Sequence, residues 1–381
     1  MKIAYYSSNR TVFPPPANIV AANADVMANI VRGMIGKGHD ITVYASKGSS
    51  MPGAKIIDLN LVPHELDYAY QREEWVKDLH IGYRLTYISQ MIADSANYDL
   101  IHLHVGRAIF GEPFIRFSQC PIVFTLHESL VSHLAPIMGE FKDANLISIS
   151  YAQRQAIPNL NYIANIYHGI DVGNFQFGPT GSDNYVFMSR VSPEKGVEDA
   201  IEACLKAGVK LLIFGPGDKE YLEKNVLPKT GEGIQYKGMV EYRSSGWVKA
   251  YAQSKAFILP IQWEEPFGLV FVEAMAFGTP VIAYARGSVP EIIKDGKTGF
   301  VVNYSENDKR GNWVVKKTGV QGLIEAIGLL EQMPEKEYQS MRRACREHVE
   351  KNFTVEKMVD GYEKVYENLY RNIINNHKYR K

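Results

Sequence analysis

The 381-residue chain has only three cysteines, Cys120, Cys204 and Cys345, and they lie far apart. No two of them have zinc-ligand spacing, and three do not make a disulfide framework. A reducing cytosol is the expected home, so a cytoplasmic location is expected. An excess of charge is also missing. Lys and Arg total 42 and Asp and Glu total 42, for a net charge of zero. A dedicated nucleic-acid binder carries a basic excess, so nucleic acid is not an expected partner. Met1–Val172 holds 13 basic and 15 acidic residues, which supports at most peripheral contact with an anionic membrane. The N-terminus does not read as a signal peptide, because the apolar run Ile3 to Tyr6 gives way to Ser-Ser-Asn-Arg. The longest apolar stretch, Phe267–Ala285, contains Glu273 and is broken by Gly278-Thr279-Pro280. It reads as buried helix, turn and strand rather than as a membrane span. Gly-x-Gly-x-x-Gly and P-loop signatures are absent; Gly215-Pro216-Gly217 lacks the third glycine. Dehydrogenase and ATPase readings are therefore disfavoured.

What the chain does have is strand–helix alternation. Short β-rich runs fall at Lys2–Ser7, Asp40–Ala45, Lys55–Leu59, Leu100–Val105, Ile122–His127 and Leu146–Ser150. A second series follows at Tyr185–Ser189, Lys210–Phe214, Ile234–Lys237, Ala256–Pro260, Pro280–Ala285 and Gly299–Val302. Several are continuously apolar, as strands covered on both faces are. Helical spacing is clear in Glu194–Ala207, where Val197, Ile201, Cys204 and Leu205 recur on one face. Further helices are expected at Thr318–Gln332, Glu335–Lys351 and Val355–Ile374. The pattern implies an α/β protein with two doubly wound parallel-sheet domains. The break falls in the Gly-, Asn- and Asp-rich stretch Gly169–Asn184. In such sheets ligands bind beyond the carboxyl ends of the strands, so the chemistry is expected in the strand-to-helix loops.

Three segments stand out. In Trp263-Glu-Glu-Pro-Phe-Gly-Leu-Val-Phe-Val-Glu273, Pro266 suits a first helical turn and Gly268 permits close approach. Glu265 is expected at the helix start, where a carboxylate is favourable. Glu273 is the only charge between Phe267 and Ala285, and its i−4 and i+4 neighbours are Leu269 and Phe277. It therefore needs a partner from elsewhere, either ligand hydroxyls or a distant basic residue. If both glutamates were helical they would stand roughly 12 Å apart, a span for the two ends of an extended ligand. In Ser189-Arg190-Val-Ser-Pro-Glu-Lys195-Gly196, two cations sit at an expected helix N-terminus, against the macrodipole. A bound anion resolves that conflict, and so does a carboxylate such as Glu194 beside Lys195. His127 ends an apolar strand, which suits either a functional or a structural histidine. His102 and His104 share a strand face, but the sequence nominates no third metal ligand. His39 and His168, beside glycines, read as structural.

Together these segments resemble the retaining glycosyltransferases of family 4, and the resemblance spans nearly the whole chain. Glu265 to Glu273 matches the family's E-x7-E motif, within EEPFGLVFVEAMAFGTPVIAYARGSVPEIIKDGKTGFVV. Arg190-Val-Ser-Pro-Glu-Lys195-Gly196 matches its phosphate-binding Arg/Lys pair, and Phe124-Thr-Leu-His127 its strand-end histidine. Gly38-His39-Asp40-Ile41-Thr42-Val43 and Tyr167-His168-Gly169-Ile170-Asp171 match structural landmarks. The resemblance implies a GT-B fold, with two Rossmann-like domains facing across a cleft. An acceptor-side domain of residues 1–172 is rejoined by a C-terminal helix at 360–381, and 173–359 forms the nucleotide-sugar donor domain.

It also implies roles. Glu273 binds donor ribose hydroxyls, and Arg190 and Lys195 neutralise the departing diphosphate. Glu265 and the backbone around Phe267, Gly268 and Leu269 hold the donor sugar and phosphate. His127 touches the sugar, and Gly238-Met239-Val240 lies beside the nucleobase. The implied set of catalytic groups is His127, Glu265, Arg190 and Lys195, with no metal and no cofactor. The donor is a nucleotide sugar, UDP-linked in the first instance with GDP and ADP as alternatives, and the acceptor a glycan or small molecule. The run Pro260–Val302 and the segment Ser150–Pro158 look most like members that glycosylate tetrahydrobiopterin or build bacterial polysaccharide. One departure is Ala21-Ala22, where many members have Gly-Gly; it alters either the phosphate contact or the acceptor pocket. Pro14-Pro15-Pro16-Ala17-Asn18 fits a loop at the cleft mouth. The aromatic segment Asp67-Tyr68-Ala69-Tyr70 to Trp75, with Tyr83, lines either an acceptor pocket or a helix interface. A GT-B sugar-nucleotide epimerase and a non-catalytic sugar-nucleotide binder are the alternatives.

Overall fold

The computed structural model describes residues 1–16, 19, 21–63, 73–105 and 108–376, the side chains of 73–77 and 372–376 excepted. The chain divides into two compact units, Met1–Gly169 with Val355–Lys381, and Ile170–Thr354.

Unit 1 is built on β1 (Lys2–Tyr6), β2 (Asp40–Tyr44), β3 (Ala54–Ile57), β4 (Leu100–Leu103), β5 (Ile122–Thr125), β6 (Asn145–Ser148) and β7 (Tyr162–Asn165). All pairs are parallel, in the order β3-β2-β1-β4-β5-β6-β7. The central strands β4 and β5 are buried along their whole length, which is why they read as unbroken apolar runs. Strand β7 has no counterpart among the sequence expectations. Its Tyr-Ile-Ala-Asn is only half-buried and too short to show a period.

Helix α1 (Ala22–Gly36) follows β1, and α2 (Glu73–Ala93) precedes β4. The helix Val355–Asn376 belongs to this unit as well. Gly33 of α1 admits it: a Cβ there would fall 2.5 Å from Val359 Cγ2. Lys37 reaches Asp360 and Glu363 at 2.8 Å each, and His39 Nε2 lies 3.1 Å from Glu363, a structural role. The buried tyrosines of this helix are hydrogen-bonded, as buried hydroxyls must be. Tyr366 meets Tyr5 at 3.2 Å and His102 Nδ1 at 2.5 Å, and Tyr362 meets Thr125 at 3.1 Å.

Unit 2 has β8 (Asn184–Met188), β9 (Lys210–Phe214), β10 (Ile234–Gly238), β11 (Ala256–Ile258), β12 (Val281–Tyr284) and β13 (Gly299–Val302). They form a second parallel sheet, β10-β9-β8-β11-β12-β13. Helix Glu335–Asn352 is pinned by the fully buried Arg342, which donates to the carbonyls of Gly178, Ser254 and Ala252 at 2.7 to 2.9 Å. The three cysteines are buried free thiols. Among the described residues no helix is long and apolar enough to cross a membrane.

Candidate functional site

In unit 2 the candidates collect on loops at the carboxyl ends of strands. The loop after β8 carries Arg190, then a 3-10 turn Pro193–Lys195, and the α-helix begins only at Val197. The expected helix start at Glu194 is therefore displaced by Gly196, whose φ of +73° breaks the path. A Cβ at Gly196 would lie 1.9 Å from the Pro260 carbonyl oxygen, so this loop is pressed against the end of β11.

The alternative of a Lys195–Glu194 pair is replaced by another carboxylate. Lys195 Nζ stands 3.0 Å from Glu265 Oε2, with both side chains largely buried. Arg190 is the one that takes Glu194, at 3.4 Å on the surface. Trp263, which sequence reasoning did not single out, donates its indole N–H to the same Glu265 oxygen at 3.1 Å. The Lys195 ammonium lies 4.9 Å from the Trp263 ring centroid. One carboxylate oxygen thus receives two donors, and one ring backs both partners.

Glu265 is not a helix cap. Gly268 has φ +79° and the helix runs Leu269–Ala276, so Glu265 and Pro266 precede it and the 12 Å helical spacing does not apply. A Cβ at Gly268 would fall 2.5 Å from the Phe271 ring. Phe267 turns its side chain inward against Phe353 and offers its carbonyl to Ser288 Oγ at 2.7 Å. The Ser288 N–H donates to the Glu265 carbonyl at 2.9 Å. Glu264 takes two hydrogen bonds from Arg310 at 2.7 Å, one from Arg286 at 3.1 Å and the Gly287 N–H at 2.7 Å. Burial opposes its ionisation, yet Arg310 and the Gly287 N–H outweigh that and hold the carboxyl below its ordinary range.

Glu273 lies inside the helix, 7% exposed. Its Oε1 accepts the Tyr242 hydroxyl at 3.1 Å, a partner that neither sequence alternative named. Tyr242 lies in the loop after β10 with Met239 and Val240, and Gly238 is the last residue of that strand. Gly238 has φ +70°, and Met239 is 78% exposed.

In unit 1, His127 stands two residues beyond β5. Its Nε2 lies 2.9 Å from His104 Nδ1, and its ring stacks on His168 at 5.3 Å. His168, read as structural from the sequence, is part of the same stack. Burial drives the His127 pKa down to about 3 and holds those of His102, His104 and His168 well below 6.5. All four are neutral at physiological pH. Both His102 nitrogens are occupied, by Tyr366 and Thr125. Among the described residues no three His, Cys, Asp or Glu side chains are grouped to hold a metal ion. Ala21 caps α1 with φ −134°, so nothing in the backbone there demands glycine. The aromatic segment Asp67–Tyr70, and Ala17-Asn18 of the proline-rich loop, lie outside the described residues, as does the Trp75 side chain.

The sequence profile described as Glycosyl transferases group 1 matches residues 175–348. The chain is 24% identical to an uncharacterized glycosyltransferase of Methanocaldococcus jannaschii, over 79% of this chain and 86% of that one. Among solved structures it is similar to sucrose-phosphate synthase of Thermosynechococcus elongatus, with a TM-score of 0.72 at 18% identity, covering 97% of this chain and 99% of that one. It is similar also to Anabaena HepE in complex with UDP and glucose, with a TM-score of 0.69 at 15% identity, covering 97% and 100%. The likeness to these structures is one of fold, two parallel-sheet, Rossmann-like units in the GT-B arrangement of elements, and the stretch matching glycosyl transferases group 1 takes in every donor-site candidate of unit 2.

Proposed function

We propose that the chain is a retaining hexosyltransferase that acts without a metal, moving a sugar from a nucleotide diphosphate sugar to a hydroxyl of a glycan or small-molecule acceptor. UDP-sugar is the favoured donor, in keeping with the UDP and glucose of the Anabaena neighbour. The observation that carries this reading is the convergence of Lys195 and Trp263 on Glu265, next to the helix holding Glu273.

In this reading each group has a chemical task. Glu273 accepts hydrogen bonds from the ribose hydroxyls. The N–H groups of Gly268 and Leu269, at a helix start, face the phosphates. As the bond from sugar C1 to the phosphate oxygen breaks, negative charge grows on the diphosphate, and Lys195 meets it already charged and oriented. Among the described residues Arg190 is held only by a surface pair of small energetic worth, which leaves it able to swing onto the diphosphate. The departing phosphate oxygen takes the acceptor proton, and the acceptor oxygen bonds to C1 from the face just vacated. His127, neutral, donates or accepts a hydrogen bond at the sugar without adding charge.

The test is calorimetric titration of the whole chain with UDP, GDP and ADP in EDTA, on native protein and on Glu273→Ala. The reading predicts that one nucleotide binds and that the variant loses most of that affinity. Equal binding by the variant, or a strict need for divalent metal, overturns it.

A further inference from the structure

Arg84 of α2 is 9% exposed, and its guanidinium lies over the Phe110 ring at 4.6 Å. Its single hydrogen bond runs from Nη2 to His80 Nε2 at 2.7 Å. Its Nε is buried with no acceptor, and among the described residues no carboxylate pairs with it. Arg342 is the contrast: that arginine is fully buried, and carbonyls surround it. A desolvated cation without a counter-charge is costly, and a structural arginine is not normally left so.

The surroundings place Arg84 in the fold. The charges felt at His80 are those of Arg84, Glu128 and Arg10. Glu128 directly follows His127 beyond β5, and Arg10 lies in the segment after β1. Asn9, beside Arg10, also has a buried amide nitrogen without a partner. Arg84 and His80 therefore border the carboxyl edge of the unit 1 sheet, where open α/β sheets take ligands. His80 accepts one N–H and supplies no negative charge, and burial together with the Arg84 charge disfavours its cationic form.

We propose that Arg84 is the anion-recognising residue of the acceptor site, and that the acceptor carries a carboxylate or phosphate group near the hydroxyl that receives the sugar. The proposal rests on the transferase reading above. A guanidinium held flat on an aromatic ring presents its N–H edge in a fixed plane, the geometry that grips such oxyanions.

Three probes on one carbon skeleton test this: glycerate, glycerol 3-phosphate and glycerol. Each is titrated calorimetrically into the whole chain saturated with UDP. A charged probe is expected to bind at least tenfold more tightly than glycerol, and the stronger of the two names the anion. Arg84→Gln is expected to erase that preference while leaving UDP affinity within twofold. Arg84→Lys, which keeps the charge and loses the fork, is expected to keep part of it, and it serves if Arg84→Gln does not fold. Equal binding of charged and neutral probes, or a preference that survives Arg84→Gln, overturns the proposal. If GDP or ADP is the nucleotide that binds, it takes the place of UDP in these titrations; failure of all three to bind native protein would instead sink the transferase reading, and titrations without nucleotide then still decide whether Arg84 holds an anion.

Discussion

Lys195 Nζ stands 3.0 Å from Glu265 Oε2, although the two residues are 70 positions apart on loops that follow different strands. Removing either partner leaves the other charged and poorly solvated. Lys195→Ala is expected to lower kcat/KM by about 100-fold or more, the order seen when a group that stabilises developing charge is lost. The measurement is initial-rate kinetics with the nucleotide sugar found by titration. A loss under threefold would remove Lys195 from the leaving-group role.

Trp263 separates two contributions in one side chain. Trp263→Phe keeps a ring under Lys195 but deletes the N–H bonded to Glu265. A hydrogen bond to a charged group is worth about 1.5–3 kcal/mol. The variant is expected to lose about tenfold in kcat with its nucleotide affinity unchanged. Loss of nucleotide affinity in place of kcat would assign Trp263 to binding instead.

Glu264 and Arg310 brace the same loop from its outer side. Arg310→Ala is expected to cost roughly 1 kcal/mol in stability, since the pair is partly exposed. Its larger effect is expected on KM for the donor, because the backbone of Glu265 and Phe267 is tied down next to this pair. Thermal melts and donor KM measured on one preparation distinguish the two effects.

Glu112 gives a pH prediction. It is fully buried, among the described residues neither carboxyl oxygen has a partner, and burial raises its pKa to about 7 from 4.5. The folded chain therefore retains a proton that the unfolded chain releases above pH 4.5. Stability is undiminished below that value and falls as pH rises toward 7, by up to roughly 1.4 kcal/mol per pH unit. Glu112→Gln is expected to raise Tm by several degrees at pH 8 and scarcely at pH 4.5. An equal shift at both pH values would show that the carboxyl stays ionised in the fold.

The twelve expected strands are all present, with ends displaced by no more than two residues, because buried parallel strands write themselves as apolar runs. Strand β7 escaped because a four-residue edge strand with no fully buried position leaves no such trace. The glutamates and the Arg/Lys pair were visible as charges in places where charge is costly. Their partners were not. Tyr242 and Trp263 are ordinary aromatic residues in sequence, and only the folded loops bring one to Glu273 and the other to Glu265. The positive φ of Gly196 and Gly268 moved both expected helix starts downstream, since a left-handed residue ends one turn before another begins. Arg84 was invisible for a similar reason: its isolation from acidic partners is a property of three dimensions.

Helix Val355–Asn376 has a consequence for the order in which the protein is made. The sheet it covers is complete in sequence by Asn165, yet 185 residues of unit 2, Ile170–Thr354, must leave the ribosome before the covering helix does. Unit 2 is contiguous and finishes from its own residues. Unit 1 waits, with the Gly33 groove and the hydrogen-bonding faces of Tyr5, His102 and Thr125 open to water. A product terminated before Val355 keeps those faces open permanently, so it is synthesis of this helix that seals the first unit to appear.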